Sequence, residues 1–147
     1  MGSEKSLWTT FRLNVKKHFE ERLLLQRHED TCSEGIPDVS FSIKLSWTDF
    51  RSGWVELKYT PEYPARESTP VRLEHFTMAQ RAWLHAHGCL GARCCVLWQI
   101  DKDYYVFNWQ SVYDLGHMTR DELQSIAYWY AVGRPDWDKL MRAIAGE

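Results

Sequence analysis

The sequence predicts an α/β chain, on two observations. In some segments apolar residues recur at three- and four-residue steps, and in others they alternate with polar residues. These two kinds of segment follow one another as helix, strands, helix, strands and helices along 147 residues, a length that fits one domain with a real core.

From Leu7 to about Leu23, Leu7, Trp8, Phe11, Val15 and Phe19 mark one face of an amphipathic helix, capped by Ser3 or Ser6. "LLLQRHED" reads as a short strand, "TCSEG" as a polar loop, and Pro37 can stand at a strand start. In "DVSFSIKL" the apolar Val39, Phe41, Ile43 and Leu45 alternate with Asp38, Ser40, Ser42 and Lys44. In "WVELKY" Val55 and Leu57 alternate with Trp54, Glu56 and Lys58. The intervening "SWTDFRSG" is turn-like. "TPEYPARESTP" is a loop with three prolines. Thr77 and Gln80 form a capping box for "MAQRAWLHAH", with Gly88 as its stop. "ARCCVLWQI" and "YYVFNW", joined by "DKD", read as a second strand pair. Thr119 and Glu122 cap a helix through "RDELQSIAYWYAV", an apolar run that either closes the core or makes a dimer interface, and Asp136 starts a last helix.

Composition narrows the function. No apolar run approaches the ~20 residues that span a bilayer, and the start lacks the continuous apolar region of a signal peptide, so a cytoplasmic protein in a reducing compartment is expected. Cys32, Cys89, Cys94 and Cys95, even with His85 and His87, lack the paired spacing of a zinc site, so buried thiols are expected instead. The formal net charge of -2 gives no global attraction to nucleic acid, so DNA contact requires local basic clusters.

A hairpin symmetric about Trp47 pairs position 38 with position 56, and alternation puts Lys58 on the same face as Glu56. Two converging carboxylates raise each other's pKa unless a cation sits between them, and oxygen-only ligands favour Mg2+ or Mn2+. A neighbouring lysine can orient the attacking water or stabilise charge on phosphorus, and together these parts describe metal-assisted phosphodiester hydrolysis.

"GIPDVSF", "GWVELKY" and the downstream "TMAQRAWLHAHG" resemble the PD-(D/E)XK nuclease superfamily, most closely its VRR-NUC and Holliday-junction-resolvase-like branch, which includes small phage-type members. The resemblance covers about residues 7–109, leaving 110–147 as a helical extension. It implies a restriction-endonuclease-like α/β core around a mixed sheet, a Mg2+-dependent endonuclease and often a homodimer acting on branched DNA. If the gene is carried by a phage, the place of action is the host cytoplasm. It makes Asp38 and Glu56 metal ligands, Lys58 the catalytic lysine and Gln80 a residue near the site. The family commonly adds a carboxylate on the first helix, but "LWTTFRLNV" carries none. Glu29 is the preferred extra ligand, with Glu20 as its rival.

Lys16, Lys17, Arg22 and Arg27 form one candidate basic strip for flanking phosphates, and Arg66, Arg72 and Arg81 another. Trp47, at the hairpin tip, can stack on a base or pack on its own hairpin or a dimer partner. Two rival functions are a non-catalytic DNA-binding or assembly subunit and a hydrolase of a small phosphodiester, whose turnover would be insensitive to salt.

Overall fold

Among the described residues six strands form one mixed sheet in chain order, each pairing with its sequence neighbour. The computed structural model describes residues 2–29 and 34–147; Cys32 of the zinc reading lies outside them. The strands are β1 (Leu23–Arg27), β2 (Val39–Ser46), β3 (Asp49–Thr60), β4 (Arg93–Ile100), β5 (Asp103–Asn108) and β6 (Trp129–Ala131). All pairs are antiparallel except β3 with β4, which are parallel because helix α2 (Met78–Cys89) carries the chain back between them.

Helix α1 (Glu4–Phe19) begins three residues before the first apolar position, at a box in which Ser3 and Ser6 cap each other's turn. Leu7, Phe11, Val15 and Phe19, four residues apart, are buried against one face of the sheet with Phe41, Val55, Leu57 and the last helix, α4 (Trp137–Ile144). The helix stops short of the expected Leu23. Glu20 takes φ 54°, a short 3-10 turn follows, and β1 begins at Leu23. The opposite face packs Val96, Trp98, Tyr105 and Phe107 under Leu84 of α2 and Leu123 of α3 (Arg120–Ile126).

Three expectations need correction. "DFRSG" is strand rather than turn, because β3 pairs with β2 down to a tip of only Trp47 and Thr48. "AYWYAV" leaves the helix at Ala127 and supplies β6, whose Trp129 packs on the core and whose Tyr130 ring stacks on Tyr105 at 5.8 Å. An apolar run this short fits either element, and the free edge of β5 decides it. Gly88 is not a helix stop; it is buried where a Cβ would fall 2.2 Å from the Trp109 ring. The capping boxes at Thr77 and Thr119 and the Asp136 cap are present as expected. Among the described residues no helix is long and apolar enough to cross a membrane.

Candidate active site

The β2–β3 register is the one that symmetry about Trp47 predicts, with Val39 opposite Val55 and Ser40 opposite Trp54, and a bulge absorbs the irregularity near the tip. One residue further on, β2 has ended while β3 continues to Thr60, so the β2-side edge of β3 is bare there. Asp38 covers it. The Leu57 N–H donates to Asp38 Oδ2 at 2.9 Å, and the Asp38 N–H donates to Glu56 Oε1 at 3.1 Å. Gly35 lets the "GIPD" turn lie close to the start of α2: its φ is +85°, and a Cβ there would stand 2.4 Å from the Ala79 carbonyl oxygen.

On the other side, Glu56 and Lys58 stand opposite Val96 and Trp98 of the buried strand β4. That neighbour makes the site dry. Glu56 is 1% exposed, and among the described residues its second oxygen, Oε2, has no hydrogen-bond partner. Burial first, and then the Asp38 carboxylate, push the Glu56 carboxyl up to about 9. Lys58 Nζ opposes this from 3.7 Å, too far to donate to Oε2.

The Lys58 ammonium is itself held by other groups. It donates to the His75 carbonyl at 2.8 Å and to Gln80 Oε1 at 3.4 Å, and it lies 3.4 Å from Glu4 Oε1. His75 takes φ 60°, a left-handed conformation uncommon outside glycine. Gln80 is thus a helix cap that also meets Lys58, because the same oxygen accepts the Thr77 N–H of the capping box at 2.9 Å.

Glu4 is the residue that sequence reasoning missed. It is the acidic first-turn residue of α1, and the helix runs back along β3 so that its start meets the end of that strand. The signal was the Ser3–Ser6 cap, which starts the helix before Leu7 and brings Glu4 into it. Glu29 and Glu20 are not brought to the pair. Glu29 is exposed and lies 3.7 Å from Arg27, while Glu20 is an exposed residue at the far end of α1. Beside the site opens a groove of about 510 Å³, lined among others by Glu4, Tyr59, Tyr63, Arg72 and His75.

The expected basic strips are only partly available. Arg81 is buried, and its guanidinium donates to the Phe76, Val112 and Leu115 carbonyls, so it ties α2 to the segment after β5 and is no phosphate contact. Lys16 donates to the Glu20 and Leu23 carbonyls at the end of α1. Arg27 lies over the Trp8 ring at 5.5 Å, with Nε and Nη1 unpartnered. Lys17, Arg22, Arg66 and Arg72 are exposed.

No protein-family model matches the chain, and a comparison with curated proteins returns no match. The chemistry of the donors is therefore the guide. Two neighbouring carboxylates, one with a buried oxygen to which no described residue donates, fit a hard divalent cation. Among the described residues no three His, Cys, Asp or Glu side chains converge on one point, and Glu4 meets the pair only through Lys58.

Proposed function

We propose that the protein is a Mg2+-dependent DNA endonuclease of the PD-(D/E)XK kind, with Mn2+ able to substitute. In this reading it has a restriction-endonuclease-like core and acts on branched DNA, as a homodimer. The observation that carries the reading is the buried, unpartnered oxygen of Glu56, set against Asp38 and beside a lysine aimed into the same spot. A purely structural carboxylate would have been given donors.

Asp38 and Glu56 are the residues that would hold the ion, which supplies charge to polarise the phosphate and to make water a better nucleophile. Lys58 orients the attacking water and offsets charge gathering on phosphorus. The His75 carbonyl and Gln80 fix the ammonium in place, and Glu4 meets it from a half-exposed position. Water leaves readily on the Val96 and Trp98 side, so these charges act in a poorly screened site.

The reading is tested by cutting labelled four-way junction, flap, nicked and plain duplex DNA with Mg2+, Mn2+ or EDTA. Metal-dependent cleavage that disappears in Lys58→Ala is expected. A folded protein that binds DNA and cuts nothing under either metal would instead support the second reading, a non-catalytic subunit. That alternative draws on the lack of a third converging carboxylate among the described residues, and it requires DNA binding to survive Asp38→Ala.

A further inference from the structure

The sheet face that carries Glu56 and Lys58 does not end at the active site. Helix α2 packs over β4, but the same face of β1, β2 and β3 continues toward the hairpin tip. Alternation places Gln26, Ser40 and Trp54 in one cross-strand row, Leu24, Ser42 and Ser52 in the next, and Lys44 beside Phe50 in the last. Leu24, Phe50 and the tip residue Trp47 are 68%, 67% and 86% exposed. Side chains this apolar on an open strand face call for an occupant.

The chemistry of the shelf favours one kind. Its floor is hydroxyl: Ser42 Oγ and Ser52 Oγ are 3.0 Å apart, and Ser40 Oγ lies 2.8 Å from His28 Nε2. Its far end is aromatic and cationic, with Lys44 Nζ 4.1 Å from the Trp47 ring centroid and 5.7 Å from that of Phe50. A hollow of about 490 Å³ opens there, with Arg22, Lys44 and the two serines among its lining and Glu21 as its carboxylate. Among the described residues Lys44 forms no ion pair, and Arg22 forms none either, though its guanidinium donates to the Phe19 and His18 carbonyls. Next to the catalytic pair a row of rings forms the wall. His28 lies 5.0 Å from Trp54, Trp54 lies 5.1 Å from Trp83, and Trp83 is stacked on His87 at 3.7 Å.

Serine and lysine are depleted from protein–protein interface cores, which argues against a second copy as the occupant. Hydroxyls and unpaired cations suit phosphates, and exposed ring faces suit bases. A duplex keeps its bases stacked inside, so rings of this kind are useful only to unpaired ones. From Glu56 to Phe50 the strand covers six residues, about 20 Å, which is the span of a few nucleotides.

We propose that this shelf is the track for a single-stranded arm of the substrate, leading from the cut at Asp38 and Glu56 across Ser40, Ser42 and Ser52 to Lys44, Phe50 and Trp47. The inference rests on the nuclease reading and sharpens it: the preferred branch carries an unpaired arm, as a flap does and a fully paired four-way junction does not.

The test is fluorescence anisotropy in EDTA, so that nothing is cut. It uses a labelled single strand of about 12 nucleotides and a blunt duplex of equal length, within the range that such tracks hold. The wild type binds the single strand more tightly. Trp47→Ala with Phe50→Ala, both exposed and safe for the fold, weakens it on the order of tenfold or more. Lys44→Ala weakens it less and lowers the salt slope by ~0.7. Equal affinity for single strand and duplex would overturn the proposal, as would an unchanged double variant. So would a double variant that turns a dimer into a monomer in sedimentation while keeping its single-strand affinity, which would make the shelf a subunit interface. Intact single-strand binding with no cleavage of any branched DNA would remove the nuclease reading and leave the track.

Discussion

Two buried carboxylates on neighbouring parts of the sheet are treated in opposite ways. Asp103, at the start of β5, is 6% exposed and surrounded by donors: the Tyr63 hydroxyl at 2.5 Å, the Gly133 N–H at 2.9 Å and Arg120 Nη2 at 3.2 Å. Those bonds pin the proline-rich loop and the segment after β6 to the sheet. Glu56 is buried more deeply and receives one backbone N–H, another carboxylate and a lysine that stops short of it. Burial is common to both. What separates a strut from a site is whether the buried charge has been satisfied.

The largest expected effect breaks the comparison at Lys58. Lys58→Ala should lower DNA cleavage by about 10²–10³-fold, the usual cost of removing one group that stabilises developing charge, while Asp103→Asn should leave the cleavage rate per folded molecule within a few-fold. A comparable loss in both, measured at matched folded fractions, would erase the distinction between strut and site.

Stability should answer in the opposite sense. Asp103→Ala strands a tyrosine hydroxyl, a backbone N–H and a guanidinium in a mostly dry setting, and it should cost about 3 kcal/mol in urea unfolding. A cost near zero would mean that the loop is held by something else, such as the Val71–Met118 bridge.

Glu56 sets a pH dependence of defined sign. Its folded-state carboxyl is raised from 4.5 to about 9, so between those values the native state holds a proton that the unfolded chain has released. The stabilisation is complete below the unfolded pKa and is lost as pH rises through the folded one, at up to about 1.4 kcal/mol per pH unit. Glu56→Gln should flatten the fall expected in wild-type Tm between pH 5 and 9, a result checked by calorimetry in EDTA. A variant with the same slope as wild type would place the titration elsewhere.

The smallest effect belongs to the exposed basic residues. Lys17→Ala or Arg66→Ala should each reduce the salt slope of duplex binding by at most ~0.9 and leave cleavage chemistry unchanged. Replacing Arg81 should instead lower stability, because its guanidinium serves three carbonyls inside the protein.

Much of this was legible in the sequence, for local reasons. Alternation on both sides of Trp47 sets a hairpin register and hence the meeting of Asp38 with Glu56, and the capping boxes at Thr77 and Thr119 and the Asp136 cap mark where three helices begin. What was not legible depends on distant contacts. Glu4 reaches Lys58 because α1 packs antiparallel along β3, 54 positions away in sequence, and no local pattern records that. Arg81 is hidden by the carbonyls of Val112 and Leu115, which lie on a later segment. The apolar run around Trp129 becomes a strand only because β5 offers it an edge. Trp47 was legible as the hairpin tip, but its exposure and its place on the same face as Glu56 required the sheet.

The central claim is that Asp38 and Glu56 hold a cation at the buried Glu56 oxygen to which no described residue donates. Calorimetric titration of Mn2+ into the wild type, Glu56→Gln and Asp103→Asn at neutral pH tests it most directly. Saturable binding that is lost in Glu56→Gln and kept in Asp103→Asn is the predicted result. Absence of binding to the folded wild type, or equal binding by Glu56→Gln, would contradict it.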